Sequence, residues 1–113
     1  MTPQDFRRLA LELPEAVESA HMGHPDFRVG GKIFATLLPE PGWAMVKLTP
    51  DEQEAFVHAA PDVFSPVPGG WGRGGATRVA LPKAKVGVVR DGIAAAWRLR
   101  APKKLVEALD RGK

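Results

Sequence analysis

Hydrophobic residues recur with helical spacing near both ends of the chain and with strand spacing between them. The first helix is predicted from a single apolar stripe, formed by Phe6, Leu9, Ala10 and Leu13. Thr2 is a suitable N-cap, Pro3 suits the first helical position, and Pro14 ends the pattern. The chain therefore begins with an amphipathic helix that buries one face.

The stretch from about Val17 to Leu48 is typical of β-structure. Its clearest strand-forming segments are Phe27–Val29, Lys32–Leu38 and Trp43–Leu48. The dipeptide Gly30-Gly31 predicts a two-residue hairpin, because both glycines tolerate a positive φ. In the third segment Ala44, Val46 and Leu48 alternate with larger or polar residues, which predicts a half-buried strand. We expect an antiparallel meander of three or four strands.

A second helix is predicted to begin at Thr49-Pro50, with Glu52 placed for a capping box and Ala55, Phe56 and Ala59 on its apolar face. Residues 62–75 are rich in proline and glycine, which predicts a long irregular segment. A strand at Ala76–Leu81 follows, and then a helix that starts near Gly92. Its apolar face is predicted to contain Val89, Ile93, Ala96 and Trp97. Lys103–Leu109 is predicted as a short final helix.

Length and composition indicate one domain over residues 1–113, with 44% hydrophobic residues to form its core. Cysteine is absent, which excludes disulfides, thiolate zinc sites and a cysteine nucleophile. The N-terminus lacks the apolar region of a signal peptide. No apolar run approaches the roughly 20 residues that a membrane span needs. We therefore expect a soluble, cytoplasmic protein without a membrane partner.

Charge is distributed unevenly along the chain. Residues 1–70 contain five basic and ten acidic residues, whereas residues 71–113 contain eleven basic and three acidic residues. Such asymmetry is consistent with a face that binds a polyanion, and also with an ordinary solvated basic surface. Both interpretations remain open at this point.

Residues that could carry chemistry are few. His21 and His24 are three apart, but Gly23 and Pro25 exclude a helix that would align them as metal ligands. His58 is predicted to lie on the surface. Neither Ser19 nor Ser65 lies in a nucleophile elbow. We therefore expect no enzymatic activity, no metal site and no cofactor.

The most unusual stretch is Gly69-Gly70-Trp71-Gly72-Arg73-Gly74-Gly75. It matches neither a phosphate-binding loop nor a dinucleotide fingerprint. One interpretation is a mobile tip that offers Trp71 for stacking and Arg73 for a phosphate. The other is a turn-rich connection in which Trp71 anchors the loop to the core. Trp43 and Trp97 are both predicted to be core residues.

The segment His24-Pro25-Asp26-Phe27-Arg28-Val29-Gly30-Gly31-Lys32-Ile33-Phe34-Ala35 closely resembles a motif of the MmcQ/YjbR family of small bacterial proteins. The resemblance extends to Leu13-Pro14-Glu15, the step from Lys47 to Pro50, the Gly70-Trp71 loop and the aromatic Trp97. It covers nearly the whole chain. One departure is the absence of tyrosine, which many members carry in the last helix.

The resemblance implies an α+β fold with two layers and the order α-β(3)-α-β(2)-α, in which helices pack on one face of a twisted antiparallel sheet. It also implies binding of double-stranded DNA through a basic "double wing" arrangement, without catalysis. From charge and loop position we expect the phosphate contacts to come from Lys32, Arg73, Arg78, Lys83 and Lys85. The alternative is a chaperone-like adaptor that binds a protein partner or forms a homodimer and has no nucleic-acid role.

Overall fold

The computed structural model describes residues 1–112. Its helices are α1 (Pro3–Leu11), α2 (Pro50–Ala59), α3 (Gly70–Arg73), α4 (Val86–Arg100) and α5 (Lys103–Arg111), with a 3-10 turn at Leu81–Lys83. Its strands are β1 (Val17–His21), β2 (His24–Val29), β3 (Lys32–Leu37), β4 (Trp43–Lys47), β5 (Phe64–Pro66) and β6 (Ala76–Ala80). All pair antiparallel in one sheet of order β1-β2-β3-β4-β6-β5. The predicted α+β class is confirmed.

Local sequence signals set the starts of the first two helices. The Thr2 hydroxyl accepts a hydrogen bond from the Asp5 backbone N–H, and the Asp5 carboxylate accepts one from the Thr2 N–H. Thr49 and Glu52 form the same reciprocal pair at the start of α2. Each capping box satisfies backbone donors that a helix start leaves unpaired. Both predicted starts are confirmed.

The core lies between one face of the sheet and the helices α1 and α4. Phe6 of α1, Phe27 of β2, and Ile93 and Trp97 of α4 are all buried there. Trp97 is 0% exposed, and its indole N–H donates to the Pro14 carbonyl at 3.0 Å. The prediction that Trp97 belongs to the core is confirmed. The opposite face of the central strands is not covered by these helices.

A β-bulge changes the register between β2 and β3. Phe27 pairs with Ala35, whereas the next residue, Arg28, pairs with Ile33, which leaves Phe34 as the extra residue. Phe34 and Ala35 are consecutive and both fully buried. The bulge therefore lets Phe34 join the core while Ile33 and Arg28 remain on the opposite face.

The structure corrects several details of the sequence interpretation. A strand precedes the predicted ones at Val17–His21, the helix predicted from Gly92 begins at Val86, and the expected irregular segment contains both β5 and α3. On α2 the buried residue is Gln53, whereas Ala55 and Ala59 are exposed. The predicted apolar face of α2 was therefore wrong in these two positions. Gln53 is buried because its amide binds the loop that follows β5.

None of the helices within residues 1–112 is long and apolar enough to span a membrane.

Candidate functional site

The face of the sheet that α1 and α4 leave uncovered forms an open groove of about 930 Å³. Side chains alternate between the two faces of β4, so Ala44 and Val46 are buried in the core. Met45 and Lys47 lie on the opposite face and form part of the groove floor. The walls come from the β1–β2 turn, the start of β3, the β3–β4 loop, the end of α4 and α3. Apolar side chains line it as well, among them Ile33, Leu38, Met45 and Val67.

Five basic residues line this groove, and they come from separate elements. These residues are Arg28, Lys32, Lys47, Arg78 and Arg100. The acidic residue that lines the groove is Glu40. Within residues 1–112, no ion pair neutralises Lys32, Lys47 or Arg100. The groove therefore carries an excess of positive charge on a partly apolar floor, which suits a ligand with both anionic and apolar parts.

A buried carboxylate supports one end of the groove. Asp26 is 0% exposed, and its two oxygens accept hydrogen bonds from Arg28 Nε at 2.8 Å and Arg28 Nη2 at 3.0 Å. His21 Nδ1 lies 2.7 Å from the same carboxylate. The hydrogen bond from Arg28 holds the pKa of Asp26 below its ordinary value, against the opposing effect of burial. Asp26 thus fixes the positions of Arg28 and His21.

Because the pKa of Asp26 is lower in the folded state than in the unfolded chain, the unfolded chain takes up a proton first as pH falls. The stability that this group contributes is therefore complete above about pH 4 and is lost as pH falls through the folded-state pKa. We expect Asp26→Asn to be less stable than the wild type at pH 7, with a difference that narrows at low pH. Urea unfolding from pH 7 to pH 2.5 measures this. A difference that stays constant with pH would contradict the assignment.

Arg78 lines the groove from β6, and its side chain is held in a fixed position. Its guanidinium carbon is 4.0 Å from the centre of the Trp43 ring, and Nη2 donates to Glu40 Oε2 at 2.7 Å. Trp43 is half-buried on the open face rather than in the core. The prediction that Trp43 is a core residue was therefore wrong, since β4 turns this side chain toward the groove together with Met45 and Lys47.

The glycine-rich stretch is held tightly at its base. The buried Gln53 amide donates to the Gly72 carbonyl at 2.9 Å and to the Ala76 carbonyl at 3.0 Å. A Cβ at Gly72 would lie 1.7 Å from the Val67 carbonyl oxygen, so only glycine permits this packing. Trp71, between these contacts, is 73% exposed and lines the groove. The interpretation that Trp71 anchors the loop to the core is therefore wrong; glycine packing and Gln53 anchor it.

Two of the five predicted phosphate-binding residues lie in the groove. Lys32 and Arg78 line it, whereas Arg73, Lys83 and Lys85 are exposed but do not. Arg28, Lys47 and Arg100 also line the groove but were not among the five predicted contacts. Lys47 could have been found from strand alternation, because it shares a face with Met45. Arg100 gave no such signal, since its place depends on how the end of α4 packs beside the β2–β3 hairpin, where Pro102 meets Gly30.

Two buried polar atoms have no hydrogen-bond partner within residues 1–112, and both belong to groove-lining residues. They are Nδ1 of His24 and Nε of Arg100. Unsatisfied buried groups are rare in native proteins and cluster where a structure serves a purpose other than stability. His24 begins β2, next to the turn that follows His21. His21 and His24 rings lie 5.2 Å apart. In the described part of the chain, no group of three or more His, Cys, Asp or Glu residues is arranged to hold a metal ion.

Comparison with known proteins identifies the family. The sequence model of the YjbR family matches residues 11–99, which include β1 to β6, the groove floor and most of α4. The chain belongs to the YjbR family. The Pro14 carbonyl, the Asp26 cluster and Trp97 therefore all lie inside the matched region of this YjbR protein.

A solved structure agrees on the fold. The YjbR chain is similar to the crystal structure of Deinococcus radiodurans protein DR2400, which is described by the family-model domain DUF419, with a TM-score of 0.70 and 19% sequence identity. The match covers 87% of this chain and 77% of that chain. At this identity the likeness supports the fold alone. No curated protein matches the sequence.

Proposed function

We propose that this YjbR protein binds DNA without catalysing a reaction, and that the groove on the open sheet face is the binding site. The observation that carries the proposal is that, within residues 1–112, five basic side chains converge on one concave surface and Glu40 is the one acidic residue that lines it. Phosphate groups provide most of the affinity in protein–DNA contacts, and a concave cluster of Lys and Arg concentrates the field that attracts them.

Unpaired lysines make the strongest contribution to this field. Lys32 at the start of β3 and Lys47 at the end of β4 have no ion-pair partner among residues 1–112, so both ammonium groups remain available for phosphate oxygens. Arg78 is partly neutralised by Glu40, and Arg28 by the buried Asp26. We therefore expect the salt dependence of binding to be set mainly by Lys32, Lys47 and Arg100.

The absence of catalysis is part of the same proposal. The Asp26 carboxylate accepts hydrogen bonds on both oxygens from Arg28 and lies beside His21, which leaves it poorly placed to take a proton from a ligand. We propose a non-catalytic binding protein that acts in the cytoplasm.

A second candidate function is a protein-interaction module. Strand β1 forms one edge of the sheet, and four of its five residues are exposed, including Val17. An edge strand offers unpaired backbone groups to an extended segment of a partner or of a second copy. This candidate uses a different surface from the groove, so changes to groove lysines would leave it unaffected.

The test is fluorescence anisotropy with a labelled duplex of about 20–30 base pairs over a salt series from about 50 mM. We expect Lys32→Glu/Lys47→Glu to weaken binding at least tenfold and to reduce the salt slope by about 0.9 for each lost phosphate contact. The matched control is Lys83→Glu/Lys85→Glu, which changes the net charge equally at two exposed positions outside the groove lining.

The control distinguishes DNA binding in the groove from DNA binding at Lys83 and Lys85, which the sequence analysis predicted from charge and loop position. If the Lys83/Lys85 variant loses binding and the Lys32/Lys47 variant does not, DNA contacts the surface around the 3-10 turn instead of the groove. If the wild type does not bind the duplex at about 50 mM salt, binding of double-stranded DNA is wrong. The interaction-module candidate is then tested by measuring the oligomeric state of a Val17→Lys variant.

A further inference from the structure

Resting on the proposed DNA-binding function, we infer that the groove binds single-stranded DNA and that one unpaired base stacks on Trp71. The apolar groove floor, the exposed Trp71 ring and the spacing of the basic residues favour an unpaired strand over a duplex.

The groove floor is more apolar than a duplex-binding surface requires. Ile33, Leu38, Met45 and Val67 line the groove together with the basic side chains. A DNA duplex presents charged backbones outside and base edges within its grooves, so its apolar base faces are stacked away from a protein. An unpaired strand presents both phosphates and flat base faces. The mixture of cations and apolar side chains in one cavity matches the unpaired strand.

The volume of the groove leads to the same conclusion. At about 930 Å³ it has the size of a cavity that encloses a small organic ligand. A cavity of this size accommodates a few nucleotides of a single strand. A duplex would instead rest on the rims and leave the floor, including Met45, without contact.

Trp71 is the tryptophan that remains free to stack. Trp97 is fully buried, and the Trp43 ring is covered by the Arg78 guanidinium. Trp71 is 73% exposed at the groove wall. Stacking of a base on an aromatic side chain accepts any base sequence, because every base has a flat π face.

The backbone under Trp71 is held in place before a ligand binds. Gly72 packs against the Val67 carbonyl, and the Gln53 amide binds the carbonyls on either side of the turn that follows α3. A ring on a fixed backbone loses little conformational freedom when a base stacks on it. The exposed ring is therefore arranged for contact with a ligand.

The basic residues are spaced for several nucleotides. From β2 through β3 and β4 to β6 there are three interstrand steps, which together span roughly 14 Å. Arg28 lies at one end of this span and Arg78 at the other, with Lys47 on the strand between. At about 3.4 Å per stacked nucleotide, the span corresponds to about four nucleotides. This agrees with the smaller site sizes of single-strand-binding grooves.

The test compares a labelled oligothymidylate of about ten nucleotides with the labelled duplex at the same salt concentration. We expect the oligothymidylate to bind at least tenfold more tightly. We expect Trp71→Ala to weaken oligothymidylate binding about tenfold, whereas Trp71→Phe retains most of the affinity. The oligomer should also quench tryptophan emission in the wild type and not in Trp71→Ala.

Leu99→Ala is the matched control, because Leu99 is an exposed apolar residue of α4 outside the groove lining. It should bind like the wild type. Tight duplex binding with weak oligomer binding overturns the single-strand inference and leaves the DNA function standing. No binding of either form overturns both. If free thymidine monophosphate competes as effectively as the oligomer, the groove is a nucleotide site and the inference is also overturned.

Discussion

Replacing Gly75 by alanine is expected to lower the free energy of unfolding by about 3 kcal/mol or more. Gly75 has φ of +110°, and a Cβ there would lie 1.8 Å from the Leu48 carbonyl oxygen. The backbone N–H of Leu48 donates to the Gly75 carbonyl at 3.1 Å, and the buried Thr77 hydroxyl donates to the same carbonyl at 2.9 Å. Alanine would therefore force apart the end of β4 and the start of β6 and strain its own backbone.

Urea unfolding followed by circular dichroism measures this change, with Gly74→Ala as the control. Gly74 has φ of −84°, and the nearest atom to its added Cβ is 3.5 Å away. The control should change stability by no more than about 0.5 kcal/mol. Similar stabilities for the two variants would mean that the loop does not pack against β4 as described. If Gly75→Ala still folds, it should lose oligothymidylate binding, because the same packing holds the backbone that carries Trp71.

The second large effect is expected at Trp97. Trp97→Ala should lower the free energy of unfolding by about 3–5 kcal/mol, because it removes a fully buried indole and leaves a cavity between α4 and the sheet. The substitution also removes the indole N–H that donates to the Pro14 carbonyl, so the hydrogen bond between α4 and the segment after α1 is lost. Trp97→Phe should be less damaging than Trp97→Ala, since it keeps part of the buried apolar surface.

Trp71→Ala provides the contrast for this measurement. It removes the same side chain from an exposed position and should change stability by no more than about 0.5 kcal/mol. A loss of stability at Trp71 that matches the loss at Trp97 would contradict the exposure on which the stacking inference rests. A small effect at Trp97 would mean that the residues around it collapse to fill the space.

Much of the fold could be predicted because its signals are local. Thr2 and Thr49 cap helices through residues only three positions away, and Gly30-Gly31 forms a hairpin whose two φ values, +59° and +79°, suit glycine. The alternation of Trp43 and Met45 with Ala44 and Val46 predicted a half-buried strand at β4, although the prediction of Trp43 as a core residue favoured the wrong face. The resemblance to the YjbR family added the order of elements, and the match over residues 11–99 confirms that membership.

The features that were missed depend on contacts between distant segments. Gln53 is buried because its amide donates hydrogen bonds to Gly72 and Thr77, which lie more than 15 residues away in the sequence. A polar residue on a helix is normally expected to be exposed, so the sequence did not indicate this burial. The bulge at Phe34 breaks the alternation that strand prediction relies on. Strand β1 is almost entirely exposed and therefore lacks the apolar pattern that would have revealed it.

The candidate site also depends on contacts between distant segments, which the sequence does not reveal. The basic C-terminal third of the sequence drew attention to Lys83 and Lys85, yet the groove takes Arg28, Lys32 and Lys47 from the acidic part of the chain. Net charge along a sequence does not record which side of a strand a residue occupies. The groove becomes visible only when β2, β3, β4 and β6 are placed side by side.

The position of Arg78 has a consequence for the thermodynamics of binding. A free arginine side chain gives up roughly 2 kcal/mol of rotamer entropy when it is immobilised. Contact with Trp43 and Glu40 has already restricted Arg78 during folding. The unpaired Lys32 and Lys47 carry no comparable restraint and must lose their freedom when a phosphate arrives. Calorimetry should therefore show a smaller entropic penalty for a phosphate contact at Arg78 than for one at Lys32 or Lys47.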